Sequence, residues 1–156
     1  MHLRSERGVT LTELTVVTVL ASIVMLGLVG FYMSSQATWL DASTQALTQR
    51  EATLLLGEIT KQVQGATSVT IGATNPERCT LTLIRPGGAQ HMFFWQDDSV
   101  FTESDSTGAR PAVAASTVEK FEVDSNDTLV FVRNLQLRSS MGRSIQMSSN
   151  IRIYNR

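Results

Sequence analysis

Cysteine, proline and an excess of either charge are all scarce in these 156 residues, and each scarcity excludes something. A single cysteine, Cys79, cannot form an internal disulfide, and no CxxC or Cys/His spacing suggests zinc. Proline is absent from residues 14–64, so nothing of that kind interrupts a helix there. Thirteen basic groups face fourteen acidic ones, and the net charge of −1 removes the electrostatic case for nucleic-acid binding. The length supports one domain with an added helix. A hydrophobic share of 42% and a mean hydropathy of +0.02 describe an ordinary soluble domain.

That average conceals a division. Residues 9–40 carry one charged side chain, Glu13, whereas residues 41–156 carry eleven basic and twelve acidic groups. From Leu14 to Met33 the chain reads LTVVTVLASIVMLGLVGFYM, twenty residues without a charge or a proline. About 20 apolar residues at 1.5 Å each span a bilayer. A helix buried in a small soluble domain is rarely apolar on every face. Membrane insertion is therefore expected. Arg4 and Arg7 precede the span and the next charge after it is Asp41, so the positive-inside rule places the amino terminus in the cytoplasm and the bulk of the chain outside. An ordinary secretory signal competes with this reading, because Ser35-Gln36-Ala37 would serve as a small-x-small cleavage site ahead of Thr38. The apolar run is longer than the 7 to 15 residues such a signal uses.

Residues Gly8 to Val17 read GVTLTELTVV. This segment resembles the signature of type IV prepilins and type II secretion pseudopilins, Gly-Phe-Thr-Leu-Ile-Glu-Leu followed by an apolar helix. Gly8, Thr10, Leu11, Glu13, Leu14, Val16 and Val17 fit it; Val9, Thr12 and Thr15 depart from it. The motif covers about a tenth of the chain, in register with a charged leader before it and a spanning helix after it. The resemblance implies chemistry done to this protein. A membrane-embedded prepilin peptidase would cut between Gly8 and Val9 at the cytoplasmic face and methylate the new amine of Val9. A residue without a side chain suits the cut, since the backbone can approach catalytic carboxylates closely. The resemblance further implies that Glu13 pairs with the amino terminus, Val9, of a neighbouring subunit and sets register in a filament, an unpaired buried charge being penalised far more than a paired one is rewarded. The alternative for Glu13 is a cap on the helix start, near its dipole. Gly30 stands where many pilins carry a helix-breaking proline.

The remaining organisation follows from periodicity. Thr15, Thr18 and Ser22 form a hydroxyl stripe that could bond across helices or to the preceding turn of its own helix. Residues 34–64 keep a helical period, so one helix is expected from about residue 10 to 64, on the order of 80 Å long. Gly65 is the expected stop. Two apolar stripes run along its second half. Ala52, Leu55, Ile59 and Val63 are expected to bury against the protein's own sheet, and Leu40, Leu47 and Leu54 to meet other helices; one broad core face drifting around the helix would explain both. Beyond Gly65 the period changes to two, predicting antiparallel strands near 67–72, 79–85, 90–96, 99–103, 118–124, 128–138 and 144–154, with an exposed loop over 104–116. The expected fold is α+β and pilin-like, a long amino-terminal helix packed on an antiparallel sheet. Its parts are a leader (1–8), a transmembrane and assembly half-helix (9–33), a periplasmic half-helix (34–65) and a β-rich globular domain (66–156).

No nucleophile, base and cofactor site can be assembled from the sequence, so an enzyme is not expected, and neither is a cofactor or a metal. His91 reads as a solvent-facing strand residue alternating with Met92 and Phe94, and Cys79 as a small buried apolar residue. Asp97, Asp98, Glu103 and Asp105 have no calcium-loop spacing and read as a solvated turn. Within the resembled family, one cysteine argues against a major pilin with its disulfide-bounded loop. Glu13 argues against the filament-capping pseudopilin, which typically lacks that glutamate, and the aspartate-rich calcium signature of the major pseudopilin is not recognisable. The leading expectation is a minor pilin or minor pseudopilin of a pilus, competence or type II secretion filament. It would sit in the inner membrane as a single-pass protein before assembly, with prepilin peptidase, sibling pilins and lipid as partners. The alternative is an exported or membrane-anchored binding module with an ordinary signal peptide or anchor.

Overall fold

The computed structural model describes residues 9–75, 78–113, 116–126 and 128–154. Residue contacts divide the chain into two units, Met1–Asp41 and Ala42–Arg156. Helix α1 (Leu11–Gln64) begins in the first and ends in the second. It continues without a break through Gly27 and Gly30, whose missing side chains leave open space. In the first unit every described residue from Val9 to Leu40 is exposed, because the sequence there is apolar on all sides and offers no single face to bury.

The second unit shows how the helix acquires a face. Thr48, Ala52, Leu55, Leu56, Ile59, Gln62 and Val63 are its buried positions, spaced three or four apart with two adjacent pairs, as a stripe facing a core requires. Leu47 and Leu54 remain 54% and 62% exposed. The apolar positions therefore form two faces and not one broad face. The helix closes where the sequence predicts. Gly65 N–H bonds Lys61 O at 3.3 Å, Ala66 N–H bonds Val63 O at 3.1 Å, and Lys61 in the last turn complements the dipole. Thr67 N–H then reaches Ile84 O at 2.7 Å and the chain enters the sheet.

Eight strands follow: β1 (Ser68–Asn75), β2 (Arg78–Ile84), β3 (Gln90–Gln96), β4 (Ser99–Ser104), β5 (Thr107–Pro111), β6 (Thr117–Ser125), β7 (Leu129–Arg138) and β8 (Ser144–Arg152). Two antiparallel meanders, β1-β2-β3-β4-β5 and β6-β7-β8, are joined by one short parallel contact of β2 with β6 at Arg78↔Phe121. The turns owe their form to local chemistry. Asp97 and Asp98 both have positive φ, 48° and 58°, in the two-residue connection that a Gln96↔Ser99 register demands. Gly87, Gly88 and Gly142 supply positive φ in the β2–β3 and β7–β8 loops at no steric cost. Asn126 Oδ1 accepts Thr128 N–H at 3.1 Å and Leu129 N–H at 2.8 Å, an Asx turn between β6 and β7.

Helix and sheet meet around Phe93, Phe121, Leu55, Ile59, Leu81, Leu83, Leu135 and Leu137, all essentially without solvent contact. Polar ties fix the docking. Ser116 N–H bonds Glu51 Oε2 at 2.9 Å and Ser116 O–H bonds Thr48 Oγ1 at 3.2 Å, while within the sheet Trp95 Nε1–H bonds Val118 O at 3.0 Å across the seam between the meanders.

Two expectations are corrected. The stretch 104–116 is not a loop throughout, since Thr107–Pro111 forms strand β5 on the edge of β4, with Thr102 opposite Arg110. All five of its residues are exposed, so no alternation marks it in the sequence. His91 does not face solvent: it is buried, 8% exposed. Strand β3 is apolar in both phases, so period two alone does not choose its inner face. The register does, pairing Phe93 with Leu81 and His91 with Leu83.

Candidate functional site

Of the residues singled out at the amino terminus, Gly8 lies outside the described residues, and Val9 precedes α1 with 74% of its surface exposed. Thr10 and Glu13 form a reciprocal cap. Glu13 N–H donates to Thr10 Oγ1 at 3.3 Å, while Glu13 Oε2 accepts both Thr10 N–H and Thr10 O–H at 3.0 Å. This is a Thr-x-x-Glu capping box, which satisfies backbone donors that the first turn leaves orphaned and places a carboxylate at the positive end of the dipole. One oxygen of Glu13, Oε1, has no partner among the described residues. The cap and a second interaction of the same carboxylate are thus compatible. Thr10 as the partner of Glu13 escapes a reading that weighs only charge; the spacing Thr10-Leu11-Thr12-Glu13 was the available signal.

Past the cap, the hydroxyl stripe bonds within its own helix. Thr15 donates to Thr12 O at 2.9 Å, Thr18 to Leu14 O at 3.1 Å and Thr15 O at 2.9 Å, and Ser22 to Thr18 O at 2.9 Å and Val19 O at 2.8 Å. No hydroxyl of the stripe is left as an orphan, which lets the surface enter hydrocarbon at little polar cost. The apolar side chains from Val9 to Met33 are 51% to 79% exposed. By length and composition α1 is able to cross a membrane. An exposed apolar surface of this extent marks a place of contact with lipid or with protein.

No known protein family, curated protein or solved structure matches the chain.

The sheet domain carries the other candidates. Cys79 is buried at 3% exposure, as expected, and its thiol bridges two strands. Sγ–H donates to Phe121 O at 3.1 Å, and Sγ accepts Val123 N–H at 3.2 Å. The thiol thereby extends the one-residue parallel contact of β2 with β6. Burial pushes the thiol pKa up to about 11, far from the thiolate a nucleophile needs. His91 Nε2 shares a 2.8 Å hydrogen bond with Thr102 Oγ1, and the imidazole lies 5.0 Å from the Phe93 ring. Burial, and then the positive charges of Arg85 and Arg110, lower its pKa, with Glu58 opposing them. Asp97 and Asp98 make the tight turn, and Asp105 Oδ2 accepts Gln90 N–H at 2.8 Å. Among the described residues no group of three or more His, Cys, Asp or Glu side chains could hold a metal.

Proposed function

We propose that this protein is a minor structural subunit of a type IV pilus-like or type II secretion filament, and that it is not an enzyme. Prepilin peptidase removes residues 1–8 and methylates Val9. The subunit waits in the inner membrane as a single-pass protein, amino terminus in the cytoplasm and sheet domain outside, and then enters the filament through its helix. One observation carries the reading. The chain presents a helix whose residues 11–40 are exposed on every side and mostly apolar, opening two residues past a Gly-Val junction and bearing in that part a single charge, the Glu13 carboxylate of the first turn. In lipid that surface is covered by acyl chains; in a filament, neighbouring helices take their place. Leu47 and Leu54, exposed while Leu55 and Ile59 are buried, extend the surface open to other subunits. Glu13 Oε1, left over by the cap, is the acceptor available to the Val9 ammonium of a neighbour.

The competing secretory cut after Ala37 is disfavoured by position, since Ser35-Gln36-Ala37 lies inside α1 and proteases prefer exposed, locally unfolded chain. Mass spectrometry of the protein isolated from membranes decides between them. A mature start at methylated Val9 supports the proposal, and a start at Thr38 overturns it. Glu13→Gln isolates the charge, because glutamine can still close a capping box. The variant is expected to be cleaved normally and to enter filaments poorly; normal incorporation would rule out the charge pair.

A further inference from the structure

At one end of the sheet the inward phase of β3 changes from Phe93 to His91, so a polar ring occupies what would otherwise be the last core position. Leu83 of β2 and Ser104 of β4 lie opposite it. His91 Nε2 is committed to Thr102, while Nδ1 has no partner among the described residues. The ring lines a cavity of about 330 Å³ together with Glu58 and Gln62 of α1, Arg85 of the β2–β3 loop, Asp105 of the β4–β5 turn and Arg110 of β5.

The commitments of these groups are unequal. Glu58 Oε1 accepts Gln62 Nε2–H at 2.5 Å, and Gln62 Oε1 in turn accepts Arg85 Nη2–H, a relay that holds Arg85 in place from the helix. Asp105 is occupied by the Gln90 amide. Arg110 has neither a hydrogen bond nor an ion pair for its guanidinium among the described residues. The cavity therefore combines a buried imidazole with one open nitrogen, a braced guanidinium and an uncommitted one. Burial first, and then Arg85 and Arg110 against the opposing charge of Glu58, disfavour the protonated ring of His91. Glu58 and Asp105 balance the two guanidinium charges but are engaged with Gln62 and the Gln90 amide, which leaves Arg110 and His91 Nδ1 as the open donors.

We propose that this cavity binds a carboxylate, with its oxygens facing Arg85 and Arg110 and accepting from His91 Nδ1–H. The tautomer is consistent, since Nε2 then accepts the Thr102 hydroxyl proton. Guanidinium forks match the planar geometry of a carboxylate. Glu58 and Asp105 on the same rim disfavour a dianion such as phosphate. The carboxylate belongs either to a small free acid or to an acidic side chain of a partner protein.

The test uses the full chain in detergent with His2→Gln, which leaves His91 as the only imidazole. Its pKa is followed by NMR in chloride, acetate, phosphate and a blocked peptide bearing one aspartate, all at equal ionic strength. A bound anion favours the charged ring, so acetate is expected to raise the His91 pKa by about half a unit or more over chloride. In Arg110→Gln, a change on an exposed strand, the pKa in chloride rises and the increment from acetate disappears. A response to the peptide assigns the site to a partner's acidic side chain, and a response to acetate alone assigns it to a free acid. Identical titrations in acetate and chloride, a larger response to phosphate, or an acetate effect that survives Arg110→Gln would overturn the proposal.

Discussion

His91 illustrates what one residue does when placement overrides type. Burial at a core position disfavours the charged imidazole, and together with Arg85 and Arg110 it lowers the His91 pKa below the ordinary 6.5. The sign of the pH effect follows. As the pH falls through 6.5 the unfolded chain takes up a proton at this side chain before the folded one does, so the unfolded state binds more protons and stability drops with pH. The contribution is intact above pH 6.5 and lost as the pH descends through the lowered folded value. Urea-unfolding midpoints measured between pH 8 and about 5, above the range where carboxylates titrate, are expected to decline, and the decline should be shallower in His91→Gln. An equal decline in both proteins would assign the slope to other groups. At the same scale, Glu119 shows how a half-buried charge is held in place. It accepts from Gln136 at 2.7 Å and Ser144 at 2.8 Å and pairs with Arg138, linking β6, β7 and the start of β8 through one carboxylate.

Helix α1 is a single element with two regimes, and its second half shows the difference most sharply in adjacent residues. Leu55 is 2% exposed and Leu54 is 62% exposed. Deleting buried methyl groups costs both their transfer energy and a cavity, so Leu55→Ala is expected to lose about 2–5 kcal/mol. Leu54→Ala, removing surface already in water, should stay within about 0.5 kcal/mol. Chemical denaturation of the two variants checks the contrast; similar losses would mean that Leu54 is covered in the folded monomer. The same contrast has a functional side. Under the proposed assembly role Leu54→Ala is the variant expected to weaken filaments without weakening the fold, and pilus or pseudopilus yield reads that effect. In the sheet, the seam between meanders depends on few bonds. Arg78↔Phe121, the Cys79 thiol and the Trp95 indole supply most of those seen there, and none of them has an antecedent in a period-two pattern.

For the molecule as a whole, the core lies wholly within the second unit, from Ala52 to Ile153. A fragment of residues 42–156 is therefore expected to fold alone, remain soluble without detergent and melt in one cooperative transition. Detergent-dependent folding of that fragment would show that the first unit supports the sheet domain. Much of this division was legible from composition. A run of twenty residues without charge is already long and apolar enough to cross a membrane. The continuous helix, its stop at Gly65 and seven of the eight strands follow from periodicity and turn residues, because local backbone preferences and one buried face act over short distances along the chain. Long-range and register choices were not legible. The parallel contact of β2 with β6 and the cavity around His91 join residues distant in sequence, whereas the inner face of β3 and the strand β5 are fixed by the register of neighbouring hairpin strands. Pairing register carries no mark in either strand when both phases are apolar or both are exposed. Which part of the chain must leave water is written in its order of residues, because hydropathy is a local property. Which polar groups are enclosed in the part that remains, His91 foremost, is settled only when the strands take their register and the helix packs beside them.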